Sequence, residues 1–95
     1  MMSEDKYVTE KYFEYQKKFT EKYGQRTIVF IEIGSFYEAY ATHEQGYDLT
    51  ELSKLLNIIK TKKNTKNTEV SIRNPFMVGF PSLSIAERLK TLVDD

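Results

Sequence analysis

The chain has 95 residues, of which 40% are hydrophobic, 14% aromatic and 29% charged, and its formal net charge is zero. These proportions exclude an intrinsically disordered chain and are typical of a single globular domain. The absence of cysteine excludes disulfides and thiolate metal sites. We expect no membrane segment and no secretory signal, because no apolar run approaches the length of a spanning helix and the first residues lack a basic start followed by an apolar block.

Charge is segregated along the chain. Residues 27–53 contain five acidic residues and no Lys or Arg, whereas residues 60–73 contain five basic residues and one acidic residue. Lys and Arg bind nucleic-acid phosphates by releasing counterions, so a basic segment on a neutral domain can position a phosphate backbone. Such runs also occur in solvated loops, and the charge pattern alone leaves both interpretations open.

The first predicted helix begins after Ser3, a favourable N-cap, and ends at Gly24. Its apolar residues recur at spacings of three and four, which predicts an amphipathic helix whose aromatic stripe packs against a sheet. The stripe consists of Val8, Tyr12, Tyr15, Phe19 and Tyr23.

A buried strand is predicted over Thr27 to Ile33, with Glu32 facing solvent or a partner. Gly34 follows, and the extended pattern resumes over Phe36 to Tyr40, so either a hairpin or a bent continuation is possible. In an extended segment Phe36 and Glu38 share one face, because successive side chains alternate. An aromatic ring beside a carboxylate suggests a surface that stacks on a flat group and reads its polar edge.

The second predicted helix follows Asp48, an N-cap three residues before Glu51, and carries four leucines on one face. A strand over Ile58 to Lys63 has a basic end. The polar segment 64–74 is interpreted as a flexible loop, an open hairpin or a basic flap, with disorder favoured. Residues 76–80 lie between two prolines, which favours an edge strand.

The last predicted helix begins near Ser84, whose spacing to Glu87 matches a capping box. Its apolar positions are Ile85, Leu89, Leu92 and Val93. Together the elements predict an α/β, α+β-like fold, in which a small mixed β-sheet packs with about three helices.

The chain offers little catalytic chemistry. Its four glycines are too dispersed for a phosphate-binding loop. His43 is interpreted as a surface residue between a strand and a helix, and a zinc site is not expected. Glu32, Glu38 and Lys60 could converge across a sheet as a nuclease-type metal site, but no tight motif supports this.

Three sequence blocks flank the predicted helices in a fixed order: VFIEIGSFYEAY at 29–40, LNIIKTKK at 56–63 and PFMVGFP at 75–81. In this order they resemble the N-terminal mismatch-recognition domain of the MutS DNA mismatch-repair family over nearly the whole chain. The most specific part of the resemblance is the aromatic-x-Glu motif of Phe36 and Glu38. The chain departs from the family pattern at Ser35, where an acidic residue is common, and at Ser82-Leu83, where Tyr-His is common.

The resemblance implies that residues 1–95 form one non-catalytic, MutS-type domain of a much larger protein. It implies that Phe36 inserts from the minor groove and stacks on a mispaired or unpaired base, and that Glu38 hydrogen-bonds this base. It also implies possible contacts to the DNA backbone or minor groove, which fall on Lys62, Lys63, Met77 and Gly79.

The partner so implied is double-stranded DNA with mismatches or small loops, inside the cell wherever that DNA resides. This domain needs no cofactor, whereas ATP and Mg are implied for a dimeric full-length protein whose ATPase lies in another domain. Two alternatives remain: a divergent MutS-like domain that binds branched or looped DNA without mismatch specificity, and a protein-interaction domain with no DNA role.

Overall fold

The computed structural model describes the backbone of residues 4–94 and the side chains of residues 8–92. The predicted N-cap Ser3 and the side chain of Val93 lie outside these ranges. The elements follow the predicted order: α1 (Glu4–Tyr23), β1 (Ile31–Ile33), β2 (Phe36–Ala41), α2 (Leu49–Leu56), β3 (Thr61–Lys62), β4 (Phe76–Pro81), a 3₁₀ turn (Ser82–Ser84) and α3 (Ile85–Asp94).

The four strands form one sheet in the order β1-β2-β4-β3, and its three strand pairs are all antiparallel. The predicted fold class, a small sheet packed with three helices, is confirmed. The antiparallel pairing makes the domain α+β rather than a βαβ fold. None of the helices in the described part of the chain is long and apolar enough to span a bilayer.

Helix α1 buries a different face from the one predicted. Among its side chains from residue 8 onward, those of Thr9, Tyr12, Phe13 and Gln16 are buried. Of the predicted stripe, Tyr12 is buried, but Tyr15 and Tyr23 are 50% and 66% exposed and stack on either side of Phe19. The periodicity correctly predicted the helix, and Gly24 ends it with a positive φ of 109°.

The segment before β1 explains why the polar Gln16 is buried. The Gln16 side chain accepts from the amide of Val29 at 3.0 Å and donates to the carbonyl of Thr27 at 2.7 Å. The Tyr12 hydroxyl donates to the carbonyl of Val29 at 2.7 Å. The prediction of a strand from Thr27 was therefore wrong in its start, because α1 side chains occupy backbone groups that a strand partner would otherwise use.

Gly34 and Ser35 form the turn of a β1–β2 hairpin, which decides the alternative that the sequence left open. Ile33 pairs with Phe36, so the loop has two residues. The φ of Gly34 is +59°, which is typical of the first central residue of a type II′ turn.

Strand β4 is central, so the prediction of an edge strand was wrong. It pairs with β2 along its whole length and with β3 only at Phe76 and Met77. The two prolines are tolerated because Pro75 precedes the strand and Pro81 lies beyond the short β3 ladder.

Helix α2 begins after Asp48, as the sequence predicts. The Asp48 carboxylate accepts from the amides of Thr50 and Glu51, and Asn57 ends the helix in the left-handed conformation. The Ser84 prediction was wrong in its detail, because this hydroxyl donates to the Pro81 carbonyl at 2.9 Å instead of capping α3.

The segment 64–74 is a closed loop built around a buried asparagine, contrary to the expectation of disorder. Asn74 is 4% exposed. Its side chain accepts from the amide of Asn64 at 2.7 Å and donates to the carbonyls of Asn67 and Glu69. The loop has no apolar core of its own, and the Asn74 side chain holds it closed by hydrogen bonds to three of its backbone groups.

The core fills both sides of the central β2–β4 pair. On one face Ala39 lies opposite Val78 and Tyr37 opposite Phe80, and α2 packs on these strands. On the other face the Tyr12 ring of α1 packs edge-on against Tyr40 at 4.9 Å. Helix α1 thus packs at the Tyr40 end of this second face.

We predict that Gln16→Ala lowers the free energy of unfolding by about 1–3 kcal/mol, because it leaves the partly buried amide of Val29 and carbonyl of Thr27 without this partner. Urea unfolding of the variant and the parent chain measures this loss. Gln25→Ala, which removes an exposed glutamine, should change the stability by less than about 0.5 kcal/mol. Equal losses in the two variants would contradict the role given to Gln16.

We predict that stability falls with alkaline pH partly through Tyr12. Burial raises the pKa of Tyr12 well above its usual range, and a hydrogen bond with the Tyr40 backbone opposes this only in part. Above about pH 10 the unfolded chain therefore loses the Tyr12 proton while the folded chain keeps it, so unfolding becomes easier as pH rises. Below that pH this contribution to stability is fully present.

Unfolding measured between about pH 9 and 11 tests this effect. Tyr12→Phe should show a shallower loss of stability with pH than the parent chain, whereas Tyr15→Phe should keep the parent slope. A Tyr12→Phe slope as steep as that of the parent would assign the alkaline loss to other groups.

Candidate functional site

Phe36 lies at the open end of one sheet face. It is the first residue of β2, directly after the Gly34-Ser35 turn, and its neighbours across the ladders are Ile33 and Pro81. The residue is 46% exposed although its backbone is paired on both sides. A large apolar ring is thus presented to solvent from a well-supported strand.

Glu38 lies on the same face and is largely sheltered, with a side chain only 15% exposed. Its Oε1 atom accepts from the Tyr40 hydroxyl and lies 3.4 Å from the Lys63 ammonium. Lys63 also donates to the Tyr40 hydroxyl at 3.2 Å and lies 5.2 Å from the centre of that ring. Among the described residues, these bonds all use Oε1, and Oε2 has no hydrogen-bond partner.

The residue opposite Glu38 is Gly79. A Cβ atom there would lie 3.4 Å from Cγ of Glu38 and 3.3 Å from the carbonyl of Tyr37. A larger residue at this position would therefore contact both Glu38 and the Tyr37 carbonyl, and the second contact would be tight. Met77, two residues earlier, pairs with both Tyr40 and Thr61 and so lies on the same face.

The structure separates Lys62 from the other site residues that the sequence predicted. Lys62 pairs with Phe76, so its side chain belongs to the opposite face of the sheet from Glu38 and Lys63. Five predicted residues therefore share one face and one does not. The shared face carries Phe36, Glu38, Lys63, Met77 and Gly79.

The convergent site of Glu32, Glu38 and Lys60 that the sequence allowed is not formed. Glu32 pairs with Tyr37 and lies on the opposite face from Glu38. Lys60 donates to the Thr50 hydroxyl at 2.8 Å. Within the described part of the chain, no three His, Asp or Glu side chains are grouped so that they could hold a metal ion.

Tyr40 is the site residue that sequence reasoning missed. It is fully buried and its hydroxyl reaches both Glu38 and Lys63. The sequence could have indicated Tyr40, because it follows Glu38 by two residues and alternation along β2 places both side chains on one face. The arrangement offers an apolar ring, a carboxylate oxygen without a partner, and an ammonium that partly neutralises the carboxylate.

Most of this sequence matches the model of a known protein family. The family model described as MutS domain I matches residues 9–95. The chain belongs to this family. The MutS resemblance drawn from the sequence blocks is thereby confirmed.

A relative of this MutS domain I is found in Acanthamoeba polyphaga mimivirus, where it bears the name "DNA mismatch repair protein mutS homolog". The two sequences are 39% identical over 85 residues, which is 87% of this chain. The matched region is only 8% of the viral protein. The chain thus corresponds to a small part of that relative.

We predict measurable coupling between Glu38 and Lys63. A double-mutant cycle with Glu38→Ala and Lys63→Ala should give about 0.5–2 kcal/mol in the free energy of unfolding, because both charges are sheltered and share the Tyr40 hydroxyl. The exposed pair of Glu10 and Arg73, 3.3 Å apart, is the matched control and should give at most about 0.5 kcal/mol. Identical coupling energies in the two cycles would show that burial of the Glu38–Lys63 pair does not strengthen its interaction.

Proposed function

We propose that this MutS domain I recognises mispaired or unpaired bases in double-stranded DNA as one domain of a longer mismatch-repair protein. One observation supports this most directly. A half-exposed phenylalanine and a carboxylate with an oxygen that lacks a partner lie two residues apart on the same open sheet face. In this proposal Phe36 is the wedge that stacks on the base, and Glu38 is the hydrogen-bonding group that reads it.

Wedging depends on how easily a base step opens. An apolar side chain that enters the minor groove partly unstacks a step at a cost of a few kcal/mol, and that cost is smaller where pairing is already defective. The backbone that carries the inserted side chain must stay in place while that side chain separates two stacked bases. Phe36 meets this need because its strand is paired on both sides and the Ser82 amide donates to the Ser35 carbonyl at 2.8 Å beside it.

Glu38 makes the interaction selective. A carboxylate is repelled by DNA phosphates, so it disfavours ordinary duplex unless a base atom compensates for the repulsion. Lys63 and Tyr40 hold Oε1, so Oε2 is the atom available to a base. Lys63 also reduces the net charge, which moderates the repulsion without removing the hydrogen-bond acceptor.

The neighbouring residues have supporting roles in this proposal. Gly79 lets the sheet approach the minor groove closely where Glu38 lies, and Met77 adds apolar contact on the same face. Lys63 contributes positive charge beside the groove. Lys62 would reach a phosphate only from the other face of the sheet.

The domain itself is proposed to be non-catalytic and to need no cofactor. ATP and Mg binding and dimerisation belong, in this proposal, to other MutS domains of the longer protein. The protein would act inside the cell on whichever DNA it helps to repair.

We predict that Phe36→Ala, made in the longer protein that carries this domain, weakens binding to mismatched duplex by about tenfold or more. Base–aromatic stacking contributes about 1–3 kcal/mol per base, which corresponds to such a factor. Affinity for matched duplex should change little, because no base is stacked there. Fluorescence anisotropy with mismatched and matched duplexes measures both.

Ile59→Ala is the control, because it removes an apolar side chain that is 84% exposed and lies outside the site. It should retain the parent preference for mismatched DNA. An unchanged preference in Phe36→Ala would exclude the wedge role. Equal affinity of the parent for matched, mismatched and branched DNA would instead favour a divergent domain without mismatch specificity, and no salt-dependent DNA binding would favour a protein-interaction role.

A further inference from the structure

Helix α1 carries a row of three aromatic rings, Tyr15, Phe19 and Tyr23, which we call the ring ladder. The rings recur every fourth residue, so they follow one another along one side of the helix. Tyr15 and Tyr23 are 50% and 66% exposed, and Phe19 between them is partly buried. The two tyrosines lie outside the core, because α1 buries a neighbouring face through Tyr12 and Gln16.

The three rings are nearly parallel and evenly spaced. The ring planes of Tyr15 and Phe19 differ by 15°, and their centres are 6.3 Å apart. The ring planes of Phe19 and Tyr23 differ by 19°, and their centres are 6.2 Å apart. The ladder therefore presents a regular series of apolar ring surfaces along the helix.

Lysines border the ladder. Lys18 and Lys22 each precede a ring, and their ammonium groups lie 5.8 Å from the centre of Phe19 and 5.2 Å from the centre of Tyr23. Both lysines are exposed, and neither forms an ion pair with a described residue. Two positive charges thus lie next to the rings without a carboxylate that neutralises them.

The acidic residues of α1 lie on other sides of the helix. Glu10 and Glu14 line a cavity together with Phe13 and Lys17. Glu21 follows Phe19 by two residues, and side chains at this spacing do not face each other on a helix. Charge is therefore segregated around α1, with positive charge beside the ladder.

Spacing and charge favour single-stranded nucleic acid as the occupant of the ladder. Proteins bind single strands by stacking successive bases on aromatic side chains that are bordered by positive charge. Neighbouring nucleotides of a duplex strand are about 3.4 Å apart, which is about half of the 6.2 Å between Phe19 and Tyr23. One base per ring therefore requires a strand whose bases are unpaired and unstacked.

A protein partner fits the ladder less well. Protein interfaces are enriched in aromatic residues but depleted in lysine. Here a lysine lies beside two of the three rings.

We propose that the ring ladder of α1 binds single-stranded nucleic acid, with bases stacked on Tyr15 and Tyr23 and backbone phosphates beside Lys18 and Lys22. This binding goes beyond the reading of mispaired bases. The ladder shares no residue with the surface that carries Phe36.

Fluorescence anisotropy of a labelled oligothymidine, titrated with the 95-residue chain at several salt concentrations, tests this proposal. An abasic strand of the same length is the matched probe, because it carries the same phosphates without bases. The chain should bind the abasic strand at least about fivefold more weakly, since stacking of one base on an aromatic ring contributes about this factor. Oligouridine of the same length shows whether the ladder prefers RNA or DNA.

Tyr15→Ala and Tyr23→Ala should each weaken binding of oligothymidine by about fivefold or more, and should leave the affinity for the abasic strand unchanged. Both side chains are at least half exposed, so their removal leaves the core intact. Phe36→Ala should bind oligothymidine like the parent chain, so failure of the wedge proposal and failure of this one give different results.

The double variant Lys18→Gln/Lys22→Gln should reduce the slope of log affinity against log salt by about 1.4, because each phosphate contact on a single strand contributes about 0.7. Lys17→Gln is the control, because Lys17 is an exposed lysine of the same helix that lines the cavity with Glu10 and Glu14. It should keep the parent slope.

The proposal is overturned if the chain does not bind oligothymidine in a saturable way, which would favour a protein partner for the ladder. It is also overturned if the abasic strand binds as tightly as oligothymidine, or if Lys17→Gln reduces the slope as much as the double variant. Loss of binding in Phe36→Ala, with full binding in Tyr15→Ala and Tyr23→Ala, would assign the stacking to Phe36 instead.

Discussion

The register between β2 and β4 is the constraint on which the rest of this domain depends. It places Glu38 opposite Gly79, Tyr40 opposite Met77 and Ala39 opposite Val78. Because side chains alternate along a strand, a shift by one residue would bring the buried alanine and valine to the open face and would bury the carboxylate. The same pairing therefore determines both the core and the candidate DNA-reading surface.

Within that register, the environment of Glu38 follows from Tyr12, Tyr40 and Lys63, which belong to three different segments of the chain. Tyr12 of α1 fixes the Tyr40 ring, and the Tyr40 hydroxyl and the Lys63 ammonium hold one carboxylate oxygen. The carboxylate is thus partly neutralised and oriented before any ligand arrives. In the proposed function such preorganisation is useful, because a mobile carboxylate would be repelled by the DNA phosphates and would not be positioned to accept a hydrogen bond from a base.

Helix α1 has a second structural role, since it decides how much of the sheet face stays open. Its polar buried residues bond to the segment before β1, and its ring contact lies at the Tyr40 end of β2. The Phe36 end is left uncovered. Lys62 of β3 and Lys63, the residue after this strand, point to opposite faces, so Lys63 contacts Glu38 and Lys62 lies on the face that carries Phe76.

The sequence by itself determined the local features of this protein. The order of elements, the Asp48 cap, the helix end at Gly24 and the shared face of Phe36 and Glu38 depend on neighbouring residues and on the periods of helix and strand. The block order was also sufficient to indicate the MutS family, which the family match confirms.

Only the tertiary structure decided which surfaces are covered and which charges meet. The start of β1, the central place of β4 and the choice of the buried face of α1 depend on hydrogen bonds or packing between segments distant in sequence. The closed loop around Asn74 depends on side-chain hydrogen bonds within residues 64–74. Periodicity does not encode these contacts. Alternation along a strand already separates Lys62 from Lys63 in the sequence, but only strand pairing decided that Lys63 lies on the Glu38 face and Lys62 on the Phe76 face.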